Sequence, residues 1–205
     1  EASSARLGRV LRRLGGRDAA RWLVAREGMA PDLVAPALAA LRAAGATIRF
    51  GARLRALTSA EGRAVALHLA GETLAVEQDD AVILALPPWE AARLITGLRT
   101  PDRHTAILTL QFDHPGAEAP RLIGVVGGLV QRVLLRPSGI GAIIGAEHAE
   151  DAAEILAPRA WAEIRRAAQA FALPGDWPDA TPRWRAAAER RTTPHHGVGI
   201  APIAP

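Results

Sequence analysis

The sequence predicts an α/β protein, and three observations carry that reading. The apolar period changes from helical to alternating after Gly45. The run Ala81-Val-Ile-Leu-Ala-Leu86 is apolar without alternation, as expected of a strand buried on both faces. Four strand-like segments between Thr105 and Ala146 are then joined by short turns and followed by a long helical stretch. With 205 residues, 49% of them apolar and 22% charged, the chain can bury a sizeable core. Its length suits one large domain or one and a half small ones.

Leu7, Leu11 and Leu14 stand at helical spacing before Gly15-Gly16, and a second helical stretch runs from Arg17 to about Arg26. Pro31 suits the first position of the next helix, where a missing N–H costs nothing. Val34, Leu38 and Leu41 give that helix an apolar stripe, and Gly45 is placed to end it. Ala46–Phe50 and Arg53–Leu57 read as short strands around Gly51. Arg63–Leu69 and Thr73–Val76, separated by Ala70-Gly71-Glu72, complete a hairpin or meander. Asp80–Leu86 is the doubly buried strand, closed by Pro87-Pro88, and Trp89–Leu98 a short helix. Thr105–Phe112, Leu122–Val126, Leu129–Leu135 and Ile140–Ala146 predict an antiparallel sheet. Glu150 to about Phe171 is helical, with Pro158 expected to split it in two. Beyond Leu173 the chain is rich in proline and tryptophan and carries no regular pattern.

Composition excludes several kinds of chemistry. Cysteine is absent, so a disulfide scaffold, a Cys-ligated zinc and a thiol nucleophile are ruled out. The pI is near 11.1, but 25 basic against 21 acidic residues leave only +4. Without lysine, tyrosine or cysteine, nothing titrates between histidine and arginine, so a small excess survives to high pH. The sequence therefore speaks against a nucleic-acid role. The apolar runs are too short to span a bilayer as a helix, and Glu1–Arg13 lacks the continuous apolar stretch of a signal peptide.

Individual motifs favour structural readings. Gly139-Ile-Gly-Ala-Ile-Ile-Gly145 has one residue too many for a dinucleotide fingerprint and reads as a turn entering a strand. The six histidines (His68, His104, His114, His148, His195, His196) include no i, i+4 pair, so no metal site is expected. No Gly-x-Ser-x-Gly elbow appears. Asp79-Asp80 and Glu150-Asp151 read as the starts of a strand and a helix rather than a catalytic pair. Five tryptophans (Trp22, Trp89, Trp161, Trp177, Trp184) either pack a core or line an apolar substrate channel.

The block from Leu33 to Leu98 carries more information. It reads helix, then Gly45-Ala-Thr-Ile-Arg-Phe-Gly-Ala-Arg-Leu54, hairpin, and Asp80-Ala-Val-Ile-Leu-Ala-Leu-Pro-Pro-Trp89. This order resembles the flavin-dependent amine oxidase and phytoene desaturase superfamily, most closely its squalene-associated hydroxysqualene dehydroxylase branch. Ala106–Pro115, Gln131 with Arg136, and Glu189-Arg-Arg-Thr192 resemble further blocks of that family, although Arg132 and Leu134 replace two aromatics of its pattern. The family's N-terminal Gly-x-Gly-x-x-Gly loop and its C-terminal Gly-Asp-x-Thr segment have no counterpart, so the resemblance implies a flavoprotein truncated at both ends.

The resemblance implies a partial FAD-binding, Rossmann-like domain over residues 37–99 and a substrate-domain sheet with a covering helix over 100–190. Residues 1–36 would be a helical lead-in on the substrate side, and 191–205 an irregular tail. It implies FAD as cofactor, with main-chain contacts from Leu54 to the adenine end of the nucleotide and from Ala85 and Pro87 nearby. No catalytic residue carries over, because the flavin performs the electron transfer and the protein orients the substrate. The implied parent enzyme removes a hydroxyl from, or desaturates, a squalene-type isoprenoid in the hopanoid pathway. Such a substrate implies a cytoplasmic protein in peripheral contact with the inner membrane face. Two alternatives stay open: a non-catalytic lipid-binding module, and a folded gene remnant lacking the flavin loop. The chain alone is expected to bind FAD poorly and to be inactive.

Overall fold

A computed structural model describes residues 4–14, 24–101, 103–145, 147–148 and 151–194. The chain divides into two compact units, one of Glu1–Ala39 with Arg103–Ile200 and one of Ala40–Asp102 with Ala201–Pro205. The architecture is α/β, with helices and two antiparallel sheets of three and five strands.

In the first unit, α1 (Ser4–Leu14) is an amphipathic helix. Most of the helix expected over 17–26 lies outside the described residues, and its end, Val24–Arg26, is not helical. A π-type turn (Ala30–Val34) leads into α2 (Ala35–Ala43), whose residues are shared between the two units, with Pro31 near its start as the missing N–H allows. Gly45 follows α2 at φ 81°, the left-handed conformation that ends a helix cheaply only at glycine.

The five-stranded sheet comprises β4 (His104–Phe112), β5 (Arg121–Gly124), β6 (Val130–Arg136), β7 (Gly139–Ile144) and β8 (Trp184–Pro194). Its order is β5-β6-β7-β4-β8, antiparallel throughout. Alternation sends Leu108, Leu110, Phe112, Val133, Leu135, Ile140, Ala142 and Ile144 to one face. There they meet Leu156, Ala157, Ala160, Trp161 and Ile164 of α4 (Ala153–Ala170), the core of the unit. The other face keeps Ile107, Leu134 and Ile143 half-buried. The segment Gly139–Gly145 enters β7, as its β-rich composition predicts.

Two expectations fail here. Pro158 does not split α4, which runs unbroken. It is exposed on the solvent side, so the carbonyl it leaves unbonded in the preceding turn can meet water while buried neighbours hold the helix. The region beyond Leu173 is not all irregular, because β8 forms the sheet's edge. Its Ala186-Ala-Ala188 and mixed charges show no alternation because it is exposed almost throughout. Only the ladder to β4 defines it, from Phe112↔Trp184 to His104↔Pro194.

Residues 173–183 cross α4 under tryptophan control. Trp161 is 1% exposed and its Nε1 donates to the Pro178 carbonyl at 2.9 Å. His114 packs edge-on to Trp161 (centroids 5.1 Å apart) and near Trp177 (5.6 Å), and its Nε2 donates to the Asp176 carbonyl at 2.8 Å. Arg165 pairs with Asp179 and donates to the Trp177 carbonyl. These tryptophans and this histidine therefore pack the core and fasten the chain across it. Trp22, His195 and His196 lie outside the described residues.

Candidate flavin-nucleotide site

The positions expected to touch a flavin nucleotide all fall in the second unit. It contains a meander of β1 (Leu54–Ala60), β2 (Arg63–Leu69) and β3 (Glu72–Ala75), followed by α3 (Pro88–Leu94). His68 sits in the central strand and bridges both neighbours, with Nε2 2.7 Å from Thr58 Oγ1 and Nδ1 3.1 Å from Thr73 Oγ1. That explains the histidine as a cross-strand tie rather than a ligand.

Two predicted strands are not strands in this chain. Residues 46–50 and 80–86 lie outside every ladder of the described residues. The second stretch, read from its unbroken apolar run as buried on both faces, is instead largely exposed, with Ile83 at 89%. An apolar run becomes a buried strand only when backbone partners and covering layers are present, and no described residue supplies them. Asp79-Asp80 accordingly forms a turn, in which Asp80 Oδ2 accepts the Glu77 N–H at 2.9 Å. The other acidic pair also differs: α4 begins at Ala153, and Asp151 instead lies 3.0 Å from His148 Nδ1.

Leu54 is the half-buried first residue of β1, opposite Leu69. Ala85 and Pro87 are exposed and extended, leading directly into α3. The Pro87 carbonyl accepts the N–H groups of Glu90 and Ala91 at 3.0 Å each, and Pro88 occupies the first helical position. Helix α3 ends sooner than the reading to Leu98 implied, because Ile95 is already extended.

The connection between these positions is Arg93. Its Nη1 donates to the Arg55 carbonyl at 2.7 Å and its Nη2 to the Leu54 carbonyl at 3.1 Å. Its Nε lies 3.1 Å from Glu90 Oε2 one turn back. The guanidinium fork thus ties the helix after Pro87 to the first two residues of β1. Sequence reasoning missed Arg93. The i, i+3 spacing to Glu90 was visible, but carbonyls 38 and 39 residues away were not. A second tie joins residues 46–50 to the meander: Arg49 Nη2 lies 2.6 Å from Glu72 Oε2. The hydrogen bond from Arg49 holds the Glu72 carboxyl below the ordinary value, and the Arg49 guanidinium is raised in turn.

A depression of about 320 Å³ in this unit, open to solvent, is lined by Arg63, Ala64, Val76, Gln78, Asp80 and Val82. It includes none of Leu54, Ala85 and Pro87. Its arginine donates from Nη2 to the Gln78 and Glu77 carbonyls, which ties Arg63 to the turn that follows β3.

Main-chain groups are what Leu54, Ala85 and Pro87 could offer, but the Leu54 carbonyl already accepts from Arg93 and the Pro87 carbonyl from Glu90 and Ala91, and proline has no N–H. Residues 81–86 present N–H and C=O groups outside any ladder of the described residues, beside aliphatic side chains. Such groups suit the edge of a nucleobase, which takes hydrogen bonds and packs on apolar surface. The main chain of residues 81–86 is thus chemically able to meet the adenine end of a flavin nucleotide.

The meander, the closing Pro-Pro helix and the separate antiparallel sheet form a partial flavin-oxidoreductase fold. Residues 2–116 match the family model of the flavin containing amine oxidoreductases, and the chain belongs to that family. It is 39% identical to the hydroxysqualene dehydroxylase of Rhodopseudomonas palustris over 94% of this chain and 46% of that protein. The hydroxysqualene dehydroxylase of Sinorhizobium fredii is 35% identical over the same shares, and that of Zymomonas mobilis 31% over 83% and 40%. The chain thus spans less than half the length of these relatives. No solved structure is a significant match.

Proposed function

We propose that the chain is part of an FAD-dependent oxidoreductase that acts on a squalene-type isoprenoid, by reductive removal of a hydroxyl or by desaturation. The observation carrying this reading is the identity of 39% sustained over 94% of the chain to a hydroxysqualene dehydroxylase. When bound, the flavin would supply the two-electron chemistry. In this chain the main chain at Leu54 and Ala85 would meet the adenine end, with Pro87 turning the loop of Ala85 into α3. Arg93 would position them by fixing the Leu54 and Arg55 carbonyls against α3. On the second face of the larger sheet the half-buried Ile107, Leu134 and Ile143 stand among Thr109, Gln111 and Arg132, so the apolar substrate is read from the similarity to the relatives and not from that face. No side chain described here is assigned to proton transfer.

The test compares this chain with a polypeptide extended to the length of the relatives. The chain alone should bind FAD weakly in a titration followed by flavin fluorescence. The longer polypeptide should retain FAD and, with a reductant, convert hydroxysqualene to squalene. A longer polypeptide that neither holds flavin nor forms squalene would overturn the reading. Retention of squalene without flavin would favour a lipid-binding module.

A further inference from the structure

Helix α1 has the residue pattern of a membrane-surface helix, and no described element buries Leu7 or Leu11. Its sequence, Ser-Ala-Arg-Leu-Gly-Arg-Val-Leu-Arg-Arg-Leu, holds four arginines and no acidic residue. Leu7 and Leu11 stand one turn apart on one side, and the spacing of Leu14 continues their row. Arg9 and Arg12 stand together on another side. Leu7 is 55% and Leu11 58% exposed, so no described element buries them.

The comparison with α4 is instructive. That helix also segregates its apolar side, but it buries Leu156, Ala157, Ala160, Trp161, Ile164 and Ala168 against the sheet and carries Glu154 and Glu163 among its charges. It is a core helix. Helix α1 pairs an exposed leucine row with purely cationic charge, which matches a surface that is apolar beneath and anionic above. A folded acidic protein would satisfy the arginines but demand a groove for the leucines. An anionic bilayer offers both at once.

We propose that α1 docks in the plane of an anionic lipid surface, with Leu7 and Leu11 entering the acyl boundary and Arg9 and Arg12 at the headgroups. This goes beyond the proposed redox reaction and stands on α1 alone, so it can fail while that reading survives.

The test is co-sedimentation of the whole chain with flavin-free vesicles of phosphatidylglycerol and phosphatidylcholine, and with vesicles of phosphatidylcholine only. Binding should be at least about tenfold tighter to the anionic vesicles and should weaken as salt is raised. The double variants Leu7→Gln/Leu11→Gln and Arg9→Gln/Arg12→Gln should each lose it about tenfold or more. Both should keep the near-UV circular dichroism of the wild type, because Trp161 and its neighbours lie in a core without α1. Failure to bind anionic vesicles, equal binding to both kinds, or unchanged binding in either variant would overturn the proposal. So would binding of soluble polyglutamate as tight as that of the vesicles and indifferent to Leu7→Gln/Leu11→Gln, which would mark an acidic protein as the partner.

Discussion

The carboxylate of Glu163, projecting from α4, closes over the backbone at Gly128: a Cβ built on that glycine would lie 2.7 Å from Glu163 Oε2. The two oxygens accept the N–H groups of Leu129 (3.0 Å) and Val130 (2.9 Å), where the chain turns into β6. A helix side chain thereby satisfies two donors that the ladder leaves open. Glu163→Gln replaces one acceptor by an NH2 facing a donor, and should cost about 1–3 kcal/mol in denaturant unfolding. If the unfolding midpoint stays put, the carboxylate does not hold this turn.

Gly116 and Gly145 test the difference between rigid and yielding neighbours. A Cβ on Gly116 would sit 2.9 Å from the Arg136 nitrogen and 3.0 Å from Leu135 Cα, both main chain. On Gly145 it would sit only 1.9 Å from Gln131 Nε2, but that is the far end of an exposed side chain. Gly116→Ala is expected to destabilise by about 1–3 kcal/mol, because backbone must shift. Gly145→Ala should cost less than about 1 kcal/mol, since Gln131 can turn away at the expense of a rotamer. Thermal melts of the two variants should rank them in that order, the reverse of the order of the distances.

For Arg93→Gln the expectation is local. Its hydrogen bonds to the Leu54 and Arg55 carbonyls are charge-assisted but 40% exposed, so the loss should be about 1 kcal/mol. Hydrogen exchange should accelerate in Pro88–Leu94, while β4 and β7 in the other unit keep their protection. In the longer polypeptide the same change should weaken FAD binding more than it slows turnover at saturating FAD. An unchanged FAD affinity would separate Arg93 from the nucleotide site.

Glu72 supplies the pH dependence. Its folded value lies below the 4.5 of a free glutamate because Arg49 bonds the ionised form. The sign follows: the stabilisation is fully present above about pH 4.5 and is lost as pH falls through the lower folded value. A carboxyl NMR titration should show Glu72 titrating below 4.5, and Arg49→Gln should move it back up. Added salt should shrink the difference, because the pair is exposed.

The sequence by itself determined much of this protein. The meander, the strands β4 to β7 and α4 follow from periods of two and 3.6 and from glycine and proline punctuation, all local signals. The family was legible in the block from Gly45 to Trp89 for the same reason: its order of elements is written in contiguous residues. Tertiary structure decided what depends on distant partners. It made β8 a strand, because Trp184–Pro194 has a ladder to β4 and almost no buried face. It left residues 80–86 without a ladder among the described residues, despite an apolar run that calls for one. It kept α4 whole through Pro158, since the proline lies on the exposed side and the buried face holds. And it recruited Arg93 to the carbonyls of Leu54 and Arg55, a juxtaposition set by chain folding over nearly 40 residues rather than by any spacing in the sequence.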